Sequence, residues 1–86
     1  MTDEQLYARL SEFILTWCLK DQALSLTPST PLVSSGLLDS LAVTEVLMFL
    51  EDLLNLHFDA NEADPARFET MELIVKAVRA KTTKGA

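Results

Sequence analysis

Apolar residues at the start of the chain recur at helical spacing. Between Asp3 and Leu19, polar residues fall mainly between the members of an apolar stripe: Leu6, Leu10, Phe13, Ile14 and Trp17. This period is typical of an amphipathic helix that buries one face. Thr2 followed by Gln5 has the form of a capping box, in which two side chains satisfy main-chain amides at a helix start. The sequence therefore predicts a helix from about Asp3 to Leu19.

The helical pattern breaks between Asp21 and Asp39. Pro28, Pro31 and Gly36 fall in this stretch together with several Ser and Thr residues, which favours a connection without regular structure. Such a long loop is unusual in a small domain and is usually either functional or disordered. Apolar residues punctuate the loop and are expected to pin it across the core: Leu24, Leu26, Leu32, Val33, Leu37 and Leu38.

A second helix is predicted from Ser40 to about Leu54, with Ser40 as its N-cap. The stripe expected to face the core consists of Val43, Val46, Leu47, Leu50, Leu53 and Leu54. A different face carries the residues at i, i+3, i+4, i+7 and i+11: Leu41, Thr44, Glu45, Met48 and Asp52. Because this face mixes apolar side chains with carboxylates, it has the character of a docking surface for another protein.

Two further helices are predicted in the C-terminal part of the chain. Asp64 followed by Pro65 signals the start of a short third helix that ends by Glu69. Thr70 is expected to cap a fourth helix. The apolar stripe of that helix is formed by Met71, Ile74, Val75 and Val78.

No segment shows the alternation of a strand, so the sequence predicts an all-α fold, a small four-helix bundle with a long loop between helices 1 and 2. A length of 86 residues with 49% hydrophobic residues allows one small domain. We expect that domain to span residues 1–80 and a flexible polar tail to span residues 81–86. A single Cys excludes an internal disulfide, so packing alone must hold the domain together.

The charge of the chain is acidic and unevenly distributed. The net charge is −6 at pH 7, with eleven acidic and two basic residues up to Ala66, and two acidic and five basic residues from Arg67 onward. A nucleic-acid partner is not expected, because it would require a basic face. Basic protein partners are favoured, although solubility alone would explain the same charge.

Targeting features are not expected in this chain. The longest apolar run in its middle, Val46–Leu50, is far too short to span a bilayer, and the N-terminus is acidic where a signal peptide would be basic. We therefore expect a cytoplasmic protein that is monomeric and does not insert into a membrane.

Side chains suited to catalysis or metal binding are scarce. The chain has one His, His57, one Cys, Cys18, and no Gly-rich phosphate loop. His57 is expected to be a surface or capping residue, and Cys18 a half-buried apolar one. No nucleophile, base and orienting group can be assembled, so the sequence predicts neither an enzyme nor a metal site.

Ser40 is the residue best placed to carry chemistry. It lies at the junction of the long loop and the second helix, where an attached phosphate would meet free amides and the positive end of the helix dipole. The neighbouring Asp39 adds an acceptor for a basic residue or metal ion of a modifying enzyme. On position alone, an ordinary N-cap is the favoured interpretation of Ser40.

The segment Gly36-Leu-Leu-Asp-Ser-Leu41 resembles the phosphopantetheine attachment motif of the acyl carrier protein family. The resemblance extends over roughly Leu6 to Val78 and includes the long loop and the short third helix. It implies an acyl-carrier-type bundle in which Ser40 accepts the 4'-phosphopantetheine arm from a phosphopantetheinyl transferase that uses coenzyme A. The arm would carry acyl groups as thioesters, and a freestanding carrier would present them to partner enzymes without catalysing a reaction itself.

The family's recognition helix corresponds to the second helix of this chain. The resemblance implies that basic and apolar patches of partner enzymes meet Leu41, Thr44, Glu45, Met48, Glu51 and Asp52. Ala42 stands where carriers of fatty acid synthesis often have an acid. The segment 62–74, with its Arg-Phe-x-Thr spacing, is also similar to carriers of D-alanine and other amino acids, so an aminoacyl carrier is the alternative function.

The size of the cargo is left open by the sequence. A long acyl chain would need a cleft between helices, with candidate walls at Met48, Phe49, Leu53, Phe58, Phe68 and Met71. Phe68 would equally well fill that space and exclude a long chain, which would suit a small aminoacyl cargo. A function of a different class is an unmodified helical module that docks a partner directly through the second helix.

Overall fold

A computed structural model of the protein describes residues 1–20 and 25–84, with only the main chain of residues 83 and 84. Within these residues the fold has three α-helices: α1 (Asp3–Phe13), α2 (Ser40–Leu54) and α3 (Met71–Lys84). Shorter turns accompany them: a π-helical turn (Ile14–Cys18) and two 3₁₀ turns (Ala60–Glu62 and Pro65–Phe68). The described residues contain no strand, and the all-α prediction is confirmed.

The predicted four-helix bundle is wrong, because the segment expected to form the third helix makes a single 3₁₀ turn. Asp64 caps this turn, accepting a hydrogen bond from the amide two residues later at 3.0 Å. Thr70 then caps α3 as predicted, accepting a hydrogen bond from the Leu73 amide at 3.1 Å. Only the four residues Pro65–Phe68 lie in the turn between these caps, too few to build the hydrogen-bond ladder of an α-helix.

The start of α1 is capped as the sequence predicts. The Gln5 amide donates to Thr2 Oγ1 at 3.2 Å, and the Thr2 amide donates to Gln5 Oε1 at 2.9 Å. The α-helical part ends at Phe13, however, several residues before the predicted end near Leu19. The remaining turn is π-helical, since the Leu19 amide donates to the Ile14 carbonyl, five residues earlier, at 2.8 Å.

This π-helical turn changes the side that Trp17 faces. Ile14 is fully buried, and in an α-helix the residues three and four positions later would share its face. With the wider turn, Cys18 and Leu19 pack against the core, whereas Trp17 is 65% exposed. The helical spacing of the sequence predicts Trp17 in the apolar stripe of the first helix, and the wider turn is the physical reason that Trp17 lies elsewhere.

One hydrophobic core joins the three α-helices and the long loop. Its buried members from α1 and the turn after it are Leu6, Leu10 and Ile14; those from the loop are Leu32 and Leu38; those from α2 are Val43, Val46 and Leu50; and those from the C-terminal part are Phe58, Phe68, Met71, Ile74, Val75 and Val78. Loop residues therefore cross the core as predicted. Leu24, also expected to pin the loop, lies outside the described residues.

The C-terminal helix extends into the segment predicted to be a flexible tail. Lys81, expected at the start of the tail, lies within α3 and is half-buried. Its ammonium group contacts Glu62 Oε1 at 2.8 Å and lies 5.4 Å from the centre of the Phe58 ring. Helix α3 thus covers residues 81–84, and residues 85 and 86 lie outside the described part of the chain.

The molecule measures 38 × 25 × 21 Å along its principal axes. Among the residues that the structure describes, no helix combines the length and the apolar character needed to cross a bilayer.

Candidate functional site

The loop that leads into α2 is shaped by a glycine and a buried leucine. Gly36 has a positive φ of 86°, a conformation that side chains disfavour, and its amide donates to the Val33 carbonyl at 3.0 Å. Leu38 is 1% exposed, and its amide donates to the Leu32 carbonyl at 2.8 Å. The turn and the anchor together fix where the chain emerges from the core immediately before Asp39 and Ser40.

The N-cap of α2 is Asp39, and the prediction that Ser40 caps the helix is wrong. Asp39 Oδ1 accepts a hydrogen bond from the Ala42 amide at 2.8 Å, and the Asp39 carbonyl accepts one from the Val43 amide at 2.9 Å. Asp39 is therefore held to the helix by its own side chain, which is the physical reason that Ser40 moves to the first helical position.

Ser40 is exposed at this first helical position. Its hydroxyl makes no hydrogen bond to the other residues that the structure describes, and its carbonyl accepts one from Thr44 Oγ1 at 3.0 Å. Because Asp39 already satisfies the Ala42 amide, the amides of Ser40 and Leu41 remain as donors without a helical partner. The hydroxyl thus lies next to free amides at the positive end of the α2 dipole.

The loop before the site is tied to the start of α3 by Glu69. Glu69 Oε1 accepts hydrogen bonds from the amides of Val33 and Ser34 at 2.8 and 2.9 Å, and the Glu69 carbonyl accepts one from the Leu32 amide at 2.6 Å. Hydrogen bonds from Ser34, and then from Val33 and Leu32, lower the pKa of the Glu69 carboxyl below its ordinary value, although partial burial opposes this shift. The ionised carboxylate therefore helps to hold the loop in place.

Five of the six residues expected to dock partners form one continuous face of α2. Leu41 and Met48 are 68% and 57% exposed, Thr44 and Asp52 are exposed, and Glu45 is half-buried. Their spacing places them along a single side of the helix, which begins beside Ser40. Two of the five are carboxylates and two are large apolar residues, so the face offers both charge and apolar area.

Glu51, the sixth expected docking residue, is directed to a structural contact. Its Oε2 accepts a hydrogen bond from the Phe58 amide at 2.8 Å and lies 3.2 Å from His57 Nδ1. The Glu51 side chain is only 23% exposed, whereas that of His57 is 81% exposed. Glu51 therefore fastens the chain after α2 and is a poor candidate for docking, and His57 is a surface residue as expected.

A groove next to the α2 face includes two residues that sequence analysis did not assign to a site. Its volume is about 320 Å³, and its lining residues are Phe13, Trp17, Glu45, Met48, Phe49 and Asp52. The rings of Phe13 and Phe49 stack with their centroids 4.3 Å apart and their planes 15° from parallel. The groove could not be predicted from the sequence. The apolar periodicity predicts a regular first helix with Trp17 in its buried stripe, and the π-helical turn that exposes Trp17 leaves no simple signal in the sequence.

The candidate walls of a cargo cleft separate into two groups. Phe58, Phe68 and Met71 are 6%, 1% and 3% exposed and belong to the core, with the rings of Phe58 and Phe68 edge to face at 6.4 Å. Met48 and Phe49 instead line the groove at the surface. Leu53 is half-buried against the core. The candidate walls at Phe58, Phe68 and Met71 are thus packed in the core.

Cys18 is half-buried, as predicted, and is not primed for reaction. Burial, followed by the carboxylates of Glu45 and Asp39, raises the pKa of its thiol to about 11. The thiolate is therefore scarce at neutral pH. Among residues 1–20 and 25–84, no group of three or more His, Cys, Asp or Glu side chains is arranged to hold a metal ion.

Comparison of the chain with models of known protein families, with curated proteins and with solved structures finds no match.

Proposed function

We propose that the protein is a carrier protein whose working group is a phosphopantetheine arm attached to Ser40. Within that class we propose an acyl carrier protein, a cytoplasmic monomer that docks successive enzymes through α2. The observation that carries the proposal is the placement of the Gly36–Leu41 motif. Gly36 makes the turn, Leu38 anchors the loop, Asp39 caps the helix, and the Ser40 hydroxyl is left exposed at the helix start.

The surroundings of Ser40 suit a phosphodiester. The hydroxyl is exposed and free of hydrogen bonds to described residues, and the Ser40 and Leu41 amides beside it can donate to phosphate oxygens. In the transfer, Ser40 Oγ attacks the β-phosphorus of coenzyme A and forms the new P–O bond. The bond to adenosine 3',5'-bisphosphate breaks, and the hydroxyl proton passes to a base of the transferase. When bound, the arm supplies a thiol that carries cargo as a thioester.

The face of α2 gives the proposed partners a surface adjoining the attachment point. Leu41 follows Ser40 directly, and Met48 lies on the same side of the helix, so a partner seated on them is close to the arm. Glu45 and Asp52 on this face favour partners with basic patches, which include the phosphopantetheinyl transferase and the enzymes that load and transfer cargo.

A small aminoacyl cargo is the second candidate, and the packing of Phe68 favours it. Phe68 is 1% exposed and packs against Phe58, so a long acyl chain entering this region would have to displace core side chains. A short or polar cargo needs no such cleft, because it can remain at the surface on the arm. The two candidates share the same arm and the same docking face.

Attachment of the arm is tested by incubating the protein with coenzyme A and a broad-specificity phosphopantetheinyl transferase, followed by intact mass spectrometry. We expect one phosphopantetheine per wild-type chain and none on Ser40→Ala. Ser29→Ala is a matched control, because Ser29 is also exposed in the loop before α2 and its hydroxyl contacts Thr27 Oγ1 at 3.4 Å, away from the Gly36–Leu41 motif. Loss of the adduct from Ser40→Ala alone supports the proposal.

The same experiment separates the carrier from an unmodified interaction module. A wild-type protein that stays unmodified, while a known carrier in the same tube is modified, would refute the carrier function. Loading the arm afterwards with acyl-activating or amino-acid-activating enzymes distinguishes the two cargo classes. The intact mass of protein purified from its native host reports the arm and any cargo still attached.

A further inference from the structure

Three of the five large hydrophobic side chains that are exposed among the described residues lie on one surface. Among the described residues the large hydrophobic side chains that are exposed are Met1, Trp17, Leu41, Met48 and Leu73. Leu41 and Met48 lie on one side of α2, and Trp17 and Met48 both line the groove described above. Clustered exposed apolar residues mark interaction sites more often than scattered ones do.

A π-helical turn leaves the Trp17 side chain exposed at the groove. The π-helical turn Ile14–Cys18 turns Trp17 away from the core, where its indole would otherwise be buried with Ile14. Such turns occur frequently at functional sites. The stacked rings of Phe13, from α1, and Phe49, from α2, give the groove an apolar lining. Tryptophan is among the residues that contribute most to protein interfaces when a partner covers them.

The charges around the groove indicate which occupant fits it. Glu45 and Asp52 line the groove itself, and Glu12 lies in the adjoining depression with Arg9. A second copy of the chain placed on this surface by a two-fold axis would bring the Glu45 and Asp52 carboxylates of both copies together, which costs free energy. A partner that carries Lys or Arg beside an apolar side chain meets no such repulsion.

We propose that this groove, lined by Trp17, Met48 and the Phe13–Phe49 stack, is a docking site for a basic protein segment that inserts one large apolar side chain. The Glu45 and Asp52 carboxylates pair with Lys or Arg residues on either side of that side chain. The docking surface therefore extends from α2 across to the end of α1. This inference rests on the proposed carrier function for its view of α2 as the docking helix. It adds a second anchor, Trp17 after α1, and the apolar side chain that the partner inserts.

The test uses Ser40→Ala protein, so that binding is measured without any arm. The probe is a fluorescein-labelled peptide, Lys-Lys-Leu-Lys-Lys-Leu-Leu-Lys-Lys, and its binding is followed by fluorescence anisotropy. We expect binding that weakens with added salt, together with a blue shift of the emission of Trp17, the only tryptophan of the chain. The peptide Lys-Lys-Ser-Lys-Lys-Ser-Ser-Lys-Lys, which has the same charge, is expected to bind at least about tenfold more weakly, since it lacks the inserted apolar side chain.

Substitutions locate the site on the protein. Trp17→Gln and Met48→Gln should each weaken peptide binding about tenfold or more, whereas Leu73→Gln, a control at an exposed leucine of α3, should leave it unchanged. Circular dichroism checks that each variant is folded, and two separate groove variants guard against the failure of one. Glu45→Gln with Asp52→Asn should weaken binding and reduce its salt dependence.

Several results would overturn the inference. The first is equal binding of the leucine-containing and serine-containing peptides, and the second is binding that neither groove variant weakens. The others are no binding at millimolar peptide, and self-association that Trp17→Gln abolishes in sedimentation velocity. The outcome is independent of arm attachment. A protein that accepts the arm but fails here remains a carrier with a narrower docking face, and one that binds the peptide but accepts no arm is an unmodified module.

Discussion

Replacing Asp39 with alanine removes the side chain that caps α2, and we expect a measurable loss of stability. The lost interaction is the 2.8 Å hydrogen bond from the Ala42 amide to Asp39 Oδ1. The first turn of α2 contains no other acidic residue that could replace it at the positive end of the helix dipole. Loss of an N-cap costs about 1 kcal/mol, within a range of roughly 0.5–2 kcal/mol.

This loss is large relative to the total stability of a chain of this size. A domain of 86 residues is stabilised by roughly 4–13 kcal/mol. At that size, 1 kcal/mol lowers the melting temperature by about 4–8 °C. Ser40→Ala should change the free energy of unfolding by no more than about 0.5 kcal/mol, because its exposed hydroxyl makes no hydrogen bond to described residues.

The assay is urea and thermal unfolding followed by circular dichroism at the helical minimum. Asp39→Asn is the matched control, since asparagine caps a helix about as well as aspartate does. The expected order of stability is wild type, Ser40→Ala and Asp39→Asn close together, with Asp39→Ala below them. If Ser40→Ala is as destabilised as Asp39→Ala, or if Asp39→Ala unfolds like the wild type, the assignment of the cap is wrong.

The remaining predictions concern the loop anchor and the core. The fold lowers the pKa of the Glu69 carboxyl from its ordinary value of 4.5. The ionised carboxylate therefore stabilises the fold at pH values above 4.5, and this stabilisation is lost as the pH falls through the lower pKa of the folded state. The stability difference between wild type and Glu69→Gln should therefore shrink below pH 4.5 in urea titrations; a constant difference down to pH 3 would contradict this account. Phe68→Ala should cost about 3–5 kcal/mol in urea unfolding, because Phe68 is buried against Phe58, and Phe68→Leu should cost less. A loss below about 1 kcal/mol would show that Phe68 is not tightly packed.

The proposed attachment site and the proposed docking groove make different demands on the sequence. The proposed attachment site lies in a short local segment, in which Gly36, Leu38 and Asp39 each contribute to placing Ser40. The groove depends on two segments far apart in sequence that meet only in the fold, with Trp17 on one side and Met48 on the other. Because the Gly36–Leu41 segment is local, the sequence predicted it; because the groove joins two distant segments, the sequence did not predict it.

The assignment of Glu51 illustrates the same limit. Its position on the second helix is compatible with a docking face, and the sequence alone offers no reason to exclude it. In the fold, the chain after α2 turns back, so that the Phe58 amide and His57 meet the Glu51 carboxylate. The contact between Glu51 and Phe58, seven residues apart, depends on the turn at Asn55, where a positive φ ends the helix.

Local signals in the sequence determined the all-α character of the protein, the start of α1, the cap of α3 and the exposed serine at the head of α2. These features depend on periodicity and on caps that act over three or four residues, which a sequence displays directly. Tertiary packing decided the rest. Asp39 caps α2 in place of Ser40 because its side chain accepts the Ala42 amide in the fold, and the exposure of Trp17 follows from the wider turn after Ile14. The short turn before α3 stays short because two caps lie close together while Phe68 is drawn into the core.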